Sequence, residues 1–248
     1  MPHTGHILHG RYAVVSCHVE RPLDDDVWER FSAVQKRRPG GFAIAALMRP
    51  PAEGENEDRW LERAREAQVR APFGLHTHWT APDHARPTGG DPPLLVGEQG
   101  RWLESVGLKP TFFCGGGWYL ETDVAKVVAG LGYADCTATA FTPGYLKPGA
   151  PHVQLDEPAW LELGEGRRLL EVPTTHSIGM LARGLMAPFR RQIVHAYFHD
   201  TDLLDIRRAN ALRVGLRLLA LRRTVTDLDE LQRDLRPEKT MSFANSRA

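Results

Sequence analysis

The chain has 248 residues, 42% of them apolar and 25% charged, and its 31 basic side chains are balanced by 31 acidic ones. That length suits one full hydrophobic core, and zero net charge gives no electrostatic argument for nucleic acid or an anionic membrane as partner. Cys17, Cys114 and Cys136 are odd in number and widely spaced, which argues against a disulfide framework, and no apolar run reaches the ~18 residues of a membrane span.

Residues 1–10, MPHTGHILHG, lack the basic and apolar regions of a signal peptide, so a cytoplasmic location is expected; the segment, with His3, His6 and His9, reads as a flexible tail. A single domain is expected over 11–236. YAVVSC at 12–17 is a buried strand ending in His18-Val19-Glu20. Asp24 or Asp25 can cap a helix reaching Arg37, with Val27, Phe31 and Val34 on one face, closed by Pro39-Gly40-Gly41. FAIAALM at 42–48 is a second strand, and 55–70 a charged helix burying Trp60, Ala64 and Ala67. Pro72 to Leu75 predicts a third strand that delivers His76 and His78, followed by a proline- and glycine-rich loop to Pro93. A helix over 94–106, a strand over 111–113, a helix capped by Thr122 and stopped at Gly132, and a strand over 134–140 follow. Residues 142–167 show no clear period. Strands are expected at 169–173 and 193–198, then a long helix at 203–223 and a short one with Thr226 and Asp229 as a capping box. Residues 237–248 read as a frayed tail.

Alternating strands and helices without a glycine-rich phosphate loop predict an α/β fold with a parallel sheet, open or closed. Titratable groups gather after several strands: His18 and Glu20, His76 and His78, His199 and Asp200. A barrel collects strand C-termini into one ring, so the pattern favours a barrel. Neutral imidazole is the commonest protein ligand for zinc, which makes His76-Thr77-His78 a candidate metal claw.

Four blocks in this order resemble the polysaccharide deacetylase family, the NodB-like carbohydrate esterases. They are VVSCHVE, GLHTHW, FFCGGGWYLETDVAKVVAGLGYADCT, and LLEVPTT followed by VHAYFHDTDLLD, and they span about residues 11 to 232. The resemblance implies a distorted (β/α) barrel of about seven strands, one divalent metal, with zinc expected, and hydrolysis of an N-acyl (amide) bond on a sugar; with no export signal read in the sequence, a small or intracellular substrate is expected. The resemblance places His76 and His78 as metal ligands and His199 as the acid that protonates the leaving amine. It departs from the family in three places. His18-Val19-Glu20 stands where adjacent aspartates are usual, so His18 takes the base position and the metal carboxylate falls to Glu20. Thr80 occupies the usual second histidine position, which leaves His78 as the substitute. Cys114 replaces an arginine that would orient the aspartate base; the paired loss avoids an unpaired buried charge costing about 3–5 kcal/mol.

For His18 and Glu20, ligand, base and polar rim are all open readings, and Cys114 reads first as a small buried residue, with thiolate ligand or nucleophile as the alternatives. Trp79 and Trp118 flank the best blocks and are candidates, with Asp200, to contact substrate; Asp83 and His84 lie in the adjacent loop. The expected partner is a saccharide or small molecule, without nucleic acid or membrane; oligomeric state is left open. The alternative function is a non-catalytic deacetylase-like barrel that binds a carbohydrate or small ligand, which the missing aspartates and arginine favour.

Overall fold

The computed structural model describes residues 11–81, 83–184 and 191–243, so the histidines of the N-terminal segment lie outside the described residues. In chain order the main elements are β1 (Tyr12–Val19), α1 (Asp25–Arg37), β2 (Ala45–Met48), α2 (Glu57–Arg70), β3 (Phe73–Thr77), α3 (Pro92–Ser105), β4 (Phe112–Gly115), α4 (Thr122–Gly130) and β5 (Ala134–Asp135). Then come β6 (Ala159–Gly164), β7 (Arg167–Glu171), β8 (His176–Ser177), α5 (Ile178–Gly184), β9 (Ile193–His199), α6 (Ile206–Ala220), β10 (Thr224–Val225), α7 (Leu228–Asp234) and β11 (Thr240–Ser242). No helix among the described residues is long and apolar enough to cross a membrane.

Side-chain oxygens fix the helix starts. Asp24 accepts from the backbone N–H groups of Asp26 and Val27, Asn56 from Arg59, Asp91 from Leu94 and Asp227 from Glu230. Each satisfies a donor that has no intrahelical partner. Two expected caps differ. The cap of α4 is Glu121, one residue before Thr122, and it makes no side-chain cap bond; the cap of α7 is Asp227, while the Thr226 hydroxyl donates to the Glu230 carboxylate.

The sheet is ordered β11-β6-β7-β5-β4-β3-β2-β1-β9-β8, with β10 added at the start of β1. All pairs are parallel except the β6–β7 hairpin. That hairpin occupies part of the stretch without a readable period. β11 is a correction to the expected tail: residues 240–242 pair with β6, and Phe243 is buried. The expected strand at 134–140 is regular only over two residues, because Thr137 turns its backbone N–H and hydroxyl onto Asp135.

Among the described residues the sheet ladder does not close, yet it curls strongly. Strands in a sheet are about 4.8 Å apart, so β1 and β4, three steps distant, would lie roughly 14 Å apart if flat. Instead His18 Nε2 on β1 lies 3.5 Å from Cys114 Sγ on β4. The stretch 167–177 spans the remaining gap: β7 pairs with β5, and β8 pairs with β9. Thr174 N–H donates to Ala138 O and Thr175 N–H to His195 O.

Alternation sorts the side chains of each strand. Ala13, Val15, Cys17 and Val19 on β1, Leu75 on β3, and Val194, Ala196 and Phe198 on β9 pack under the helices in the larger hydrophobic core. Val14, Phe112, Cys114, Ala134 and Ile193 face the concave side, where Leu228, Leu231 and Leu235 close the lower end. The same concave columns continue upward into Ser16 and His18, His76, His195 and His199. The interior therefore changes from apolar to polar along the strands.

Candidate active site

The concave columns end in one cluster. His18 on β1 and Glu20 just past its end stand at i and i+2, as do His76 on β3 and His78 just past its end, so the second residue of each pair continues the column of the first. His18 and His199 are register partners across β1 and β9. His76 and Cys114 are partners across β3 and β4.

Glu20 is the hub. Its Oε1 lies 3.2 Å from His78 Nε2, 3.6 Å from His76 Nε2 and 3.6 Å from His199 Nε2. Burial opposes its ionisation, but the imidazoles of His76 and His78 and the charge of His199 outweigh that and hold the carboxyl well below the usual carboxylate range. The backbone of Glu20 is held by a residue the sequence did not single out. Arg49, buried at the end of β2, donates from Nε to Glu20 O at 3.0 Å and forks onto both oxygens of Glu55 at 2.9 Å.

His76 is buried, and its Nδ1 lies 2.9 Å from the carbonyl oxygen of Cys114. A carbonyl only accepts, so Nδ1 donates to it, which leaves Nε2, 3.6 Å from Glu20 Oε1, as the atom that shares a proton with the carboxylate or would face an ion in its place. Burial, then the neighbouring histidines, push His18 well below the ordinary histidine value; burial lowers His76 against the pull of Glu20. His18 stacks on His76 with ring centroids 4.5 Å apart and touches Trp118, Tyr197 and His199, each at 5.2 Å. The ring of His199 is partly exposed, with Nδ1 3.9 Å from Asp202 Oδ2, and Asp202 also accepts from His199 N at 3.0 Å and from Arg208.

The backbone of Trp118 has φ 58°, in the left-handed region that side chains with a Cβ avoid. Its ring is nevertheless held against His18, Tyr197 and Phe141. Strain of about 1–3 kcal/mol persists only where surroundings over-determine it, and it collects at functional sites.

Two expected substrate contacts are placed elsewhere. Trp79 turns into the core: its ring packs on Phe113 and Tyr119, and its indole N–H donates to Gly116 O at 3.0 Å. Asp200 is fully buried and accepts from the backbone N–H groups of Arg21 and Thr201, both at 2.8 Å, so it ties the segment after Glu20 to the end of β9. Burial pushes its carboxyl up to about 6. Asp83 and His84 pair with each other on the surface.

Clefts open on two sides of the cluster. One, of about 530 Å³, is lined by Tyr197, His199, Asp202, Arg207 and Arg208. The other, of about 440 Å³, is lined by Glu20, Arg21, Arg49 and Asp83.

Below the cluster lies a buried carboxyl pair with no signal in the sequence. Asp135 on β5 and Glu171 on β7 are direct register partners. Asp135 Oδ1 accepts from Thr137, and Glu171 Oε1 accepts from Ala138 N. Asp135 Oδ2 and Glu171 Oε2 are buried and accept no hydrogen bond, so a charge on either carboxyl raises the cost of ionising the other. Burial and then the charge of Asp135 push Glu171 well up. His195, also fully buried, meets the Ser16 hydroxyl at 2.8 Å and is lowered by burial to about 4.

The residues fit a divalent ion. Glu20, His76 and His78 form one group whose ligand atoms lie within 4.8 Å of one another. Nitrogen and oxygen ligands at roughly 2.0–2.2 Å from a tetrahedral zinc stand about 3.4 Å apart, the spacing that Glu20 keeps to both histidines. The fixed tautomer of His76 presents the correct nitrogen.

No family model and no curated protein matches the sequence. Among solved structures the chain is similar in fold to the 4-alpha-glucanotransferase of Thermococcus litoralis, with TM-score 0.58 and 12% identity over 94% of this chain; it spans 40% of that protein's length. It is also similar to a mutant of a CE4 family pseudoenzyme with restored enzymatic activity, with TM-score 0.50 and 12% identity over 92% of this chain and 68% of the other. A Bordetella bronchiseptica protein described as a polysaccharide deacetylase involved in O-antigen biosynthesis matches with TM-score 0.48 and 15% identity over 96% and 91% of the two chains. The chain thus has a mixed α/β, mostly parallel fold like that of the glucanotransferase and the CE4 family pseudoenzyme.

Proposed function

We propose that the chain is a metal-dependent hydrolase of the polysaccharide-deacetylase type, cleaving an N-acyl bond on a sugar or other small substrate. The supporting observation is the single carboxylate oxygen of Glu20 within 3.2–3.6 Å of His76, His78 and His199, drawn from three separate strand ends. Glu20, His76 and His78 would hold the ion. When bound, such an ion polarises an acyl carbonyl as a Lewis acid. The chain's own groups do the remaining work. His18, kept neutral by burial, retains a lone pair that can accept a proton. His199, at the mouth of the larger cleft and steadied by Asp202, is placed to protonate a departing amine. Trp118 and Tyr197 exclude water from the face of His18.

Metal analysis of purified protein, with acetate release from N-acetylated amino sugars, tests this reading. Stoichiometric metal and turnover, both lost in His76→Ala, are expected. Unchanged metal content in that variant removes the premise.

A second reading is a barrel of the same fold that binds a saccharide or small ligand without hydrolysing it. The burial of His18 beneath Trp118 and Tyr197 favours it, because a base with so little access is poorly placed to meet water. Ligand-induced thermal shifts without turnover on a broad acyl panel support that reading.

A further inference from the structure

His76 belongs to a second ligand group. His18, His76 and Cys114, all buried, also have one ligand atom each within 4.8 Å of the others. We infer that this group is an inner binding position for a thiophilic cation such as Cd²⁺ or Cu⁺, alternative to the Glu20–His76–His78 position.

Three features carry the inference. The first is spacing. Sulfur at roughly 2.3 Å and imidazole nitrogen at roughly 2.0–2.1 Å from a tetrahedral ion stand about 3.5 Å apart. Cys114 Sγ and His18 Nε2 are 3.5 Å apart. The second is tautomer control. The Cys114 carbonyl oxygen, 2.9 Å from His76 Nδ1, leaves Nε2 as the coordinating atom. The backbone of the thiol-bearing residue therefore orients a ligand for the ion that its side chain would hold. The third is ligand softness. Thiolate with imidazole suits soft ions, whereas the carboxylate set around Glu20 suits harder ones.

Both positions need a lone pair on His76, and a neutral imidazole offers one, so one ion excludes the other. Binding at the inner position converts the Cys114 thiol to a metal-bound thiolate and releases one proton to solvent. The inner ion would also withdraw His18. A soft cation is thus a competitive antagonist of the outer ion. The inner position requires no hydrolytic activity and stands whether or not the chain is an enzyme.

The test is a titration of the metal-stripped full chain with Cd²⁺, followed by the near-ultraviolet thiolate-to-metal absorption. One equivalent per chain should give the band. Cys114→Ala should abolish it, and His18→Ala should weaken Cd²⁺ binding by at least about tenfold. Glu20→Gln and His78→Ala should keep it, which separates this position from the outer one. Cys114→Ser, isosteric with the thiol, should fold with an unchanged far-ultraviolet spectrum and give no band. A wild-type complex without the band, or a band that survives Cys114→Ala, overturns the proposal.

Discussion

The carboxylate of Glu20 and the imidazole of His78 stand 3.2 Å apart although 58 residues separate them. Their meeting depends on β1 and β3 lying one strand apart with their C-terminal tips level. Glu20→Gln keeps the shape of the side chain and removes the charge. It should lower affinity for a hard divalent ion by at least about tenfold, read by calorimetry on the metal-stripped protein. An unchanged affinity would mean that Glu20 is not a ligand.

Acid should destabilise the metal-free fold through Glu20 and through the buried histidines, His18, His76, His176 and His195 among them. The Glu20 carboxyl is depressed in the folded chain, so its contribution is present above the unfolded value, about 4.3, and is lost as pH falls below it. His195 is lowered to about 4. Between about 6.5 and about 4 the unfolded chain binds a proton that the folded chain refuses, so stability falls with falling pH, by on the order of 3 kcal/mol in full. His195→Gln should flatten that part of the profile in denaturant melts; an unaltered slope contradicts the assignment.

Asp135 and Glu171 act with the opposite sign. Their folded values are raised, so their contribution is complete below about 4 and is lost as pH rises through the elevated folded range. Glu171→Gln replaces one of the two buried carboxyls by a neutral amide that cannot ionise. Its stability should match the wild type near pH 4 and decline less as pH rises through the elevated range of the pair. A steeper decline in the variant would show that the pair is not proton-linked.

Trp118 offers a test of backbone strain. Alanine is normally preferred to glycine, but at φ 58° the order should invert. Trp118→Gly should be more stable than Trp118→Ala by about 1 kcal/mol, with both below the wild type because the packing on His18 and Tyr197 is lost. Trp118→Ala equal to or above Trp118→Gly would place the residue outside the left-handed region.

Gly116 positions the ligand turn. A Cβ there would lie 2.6 Å from both Thr77 O and Ala85 O and 3.1 Å from His78 Cδ2. Two of these are backbone atoms that cannot swing aside. Gly116→Ala should therefore cost about 1–3 kcal/mol in stability and weaken metal binding by displacing His78. Thermal melts and metal titration of one preparation measure both effects.

Much of this arrangement was legible in the chain because it follows local rules. Asp24 as a cap, the apolar run of β1 and the H-x-H after β3 each announce themselves, and titratable residues after successive strands imply convergence. The rest depended on tertiary partners. Asp135 and Glu171 lie in short strands and look like ordinary polar positions until register sets them opposite one another. Trp79 adjoins a ligand histidine, but alternation along the strand points it into the core, not the cleft. Asp200 follows His199, yet its oxygens are taken by the backbone of Arg21 and Thr201. β7 overlaps the strand expected at 169–173, whereas β6 lies in the stretch read as having no period and β11 in the expected tail, and it is their pairing that gives these two form.

The most direct measurement of the central claim is anomalous diffraction at the zinc edge from crystals of the zinc-loaded chain. One peak is expected, about 2.0–2.2 Å from Glu20 Oε1, His76 Nε2 and His78 Nε2. A zinc-loaded crystal with no peak among these three side chains would contradict the account.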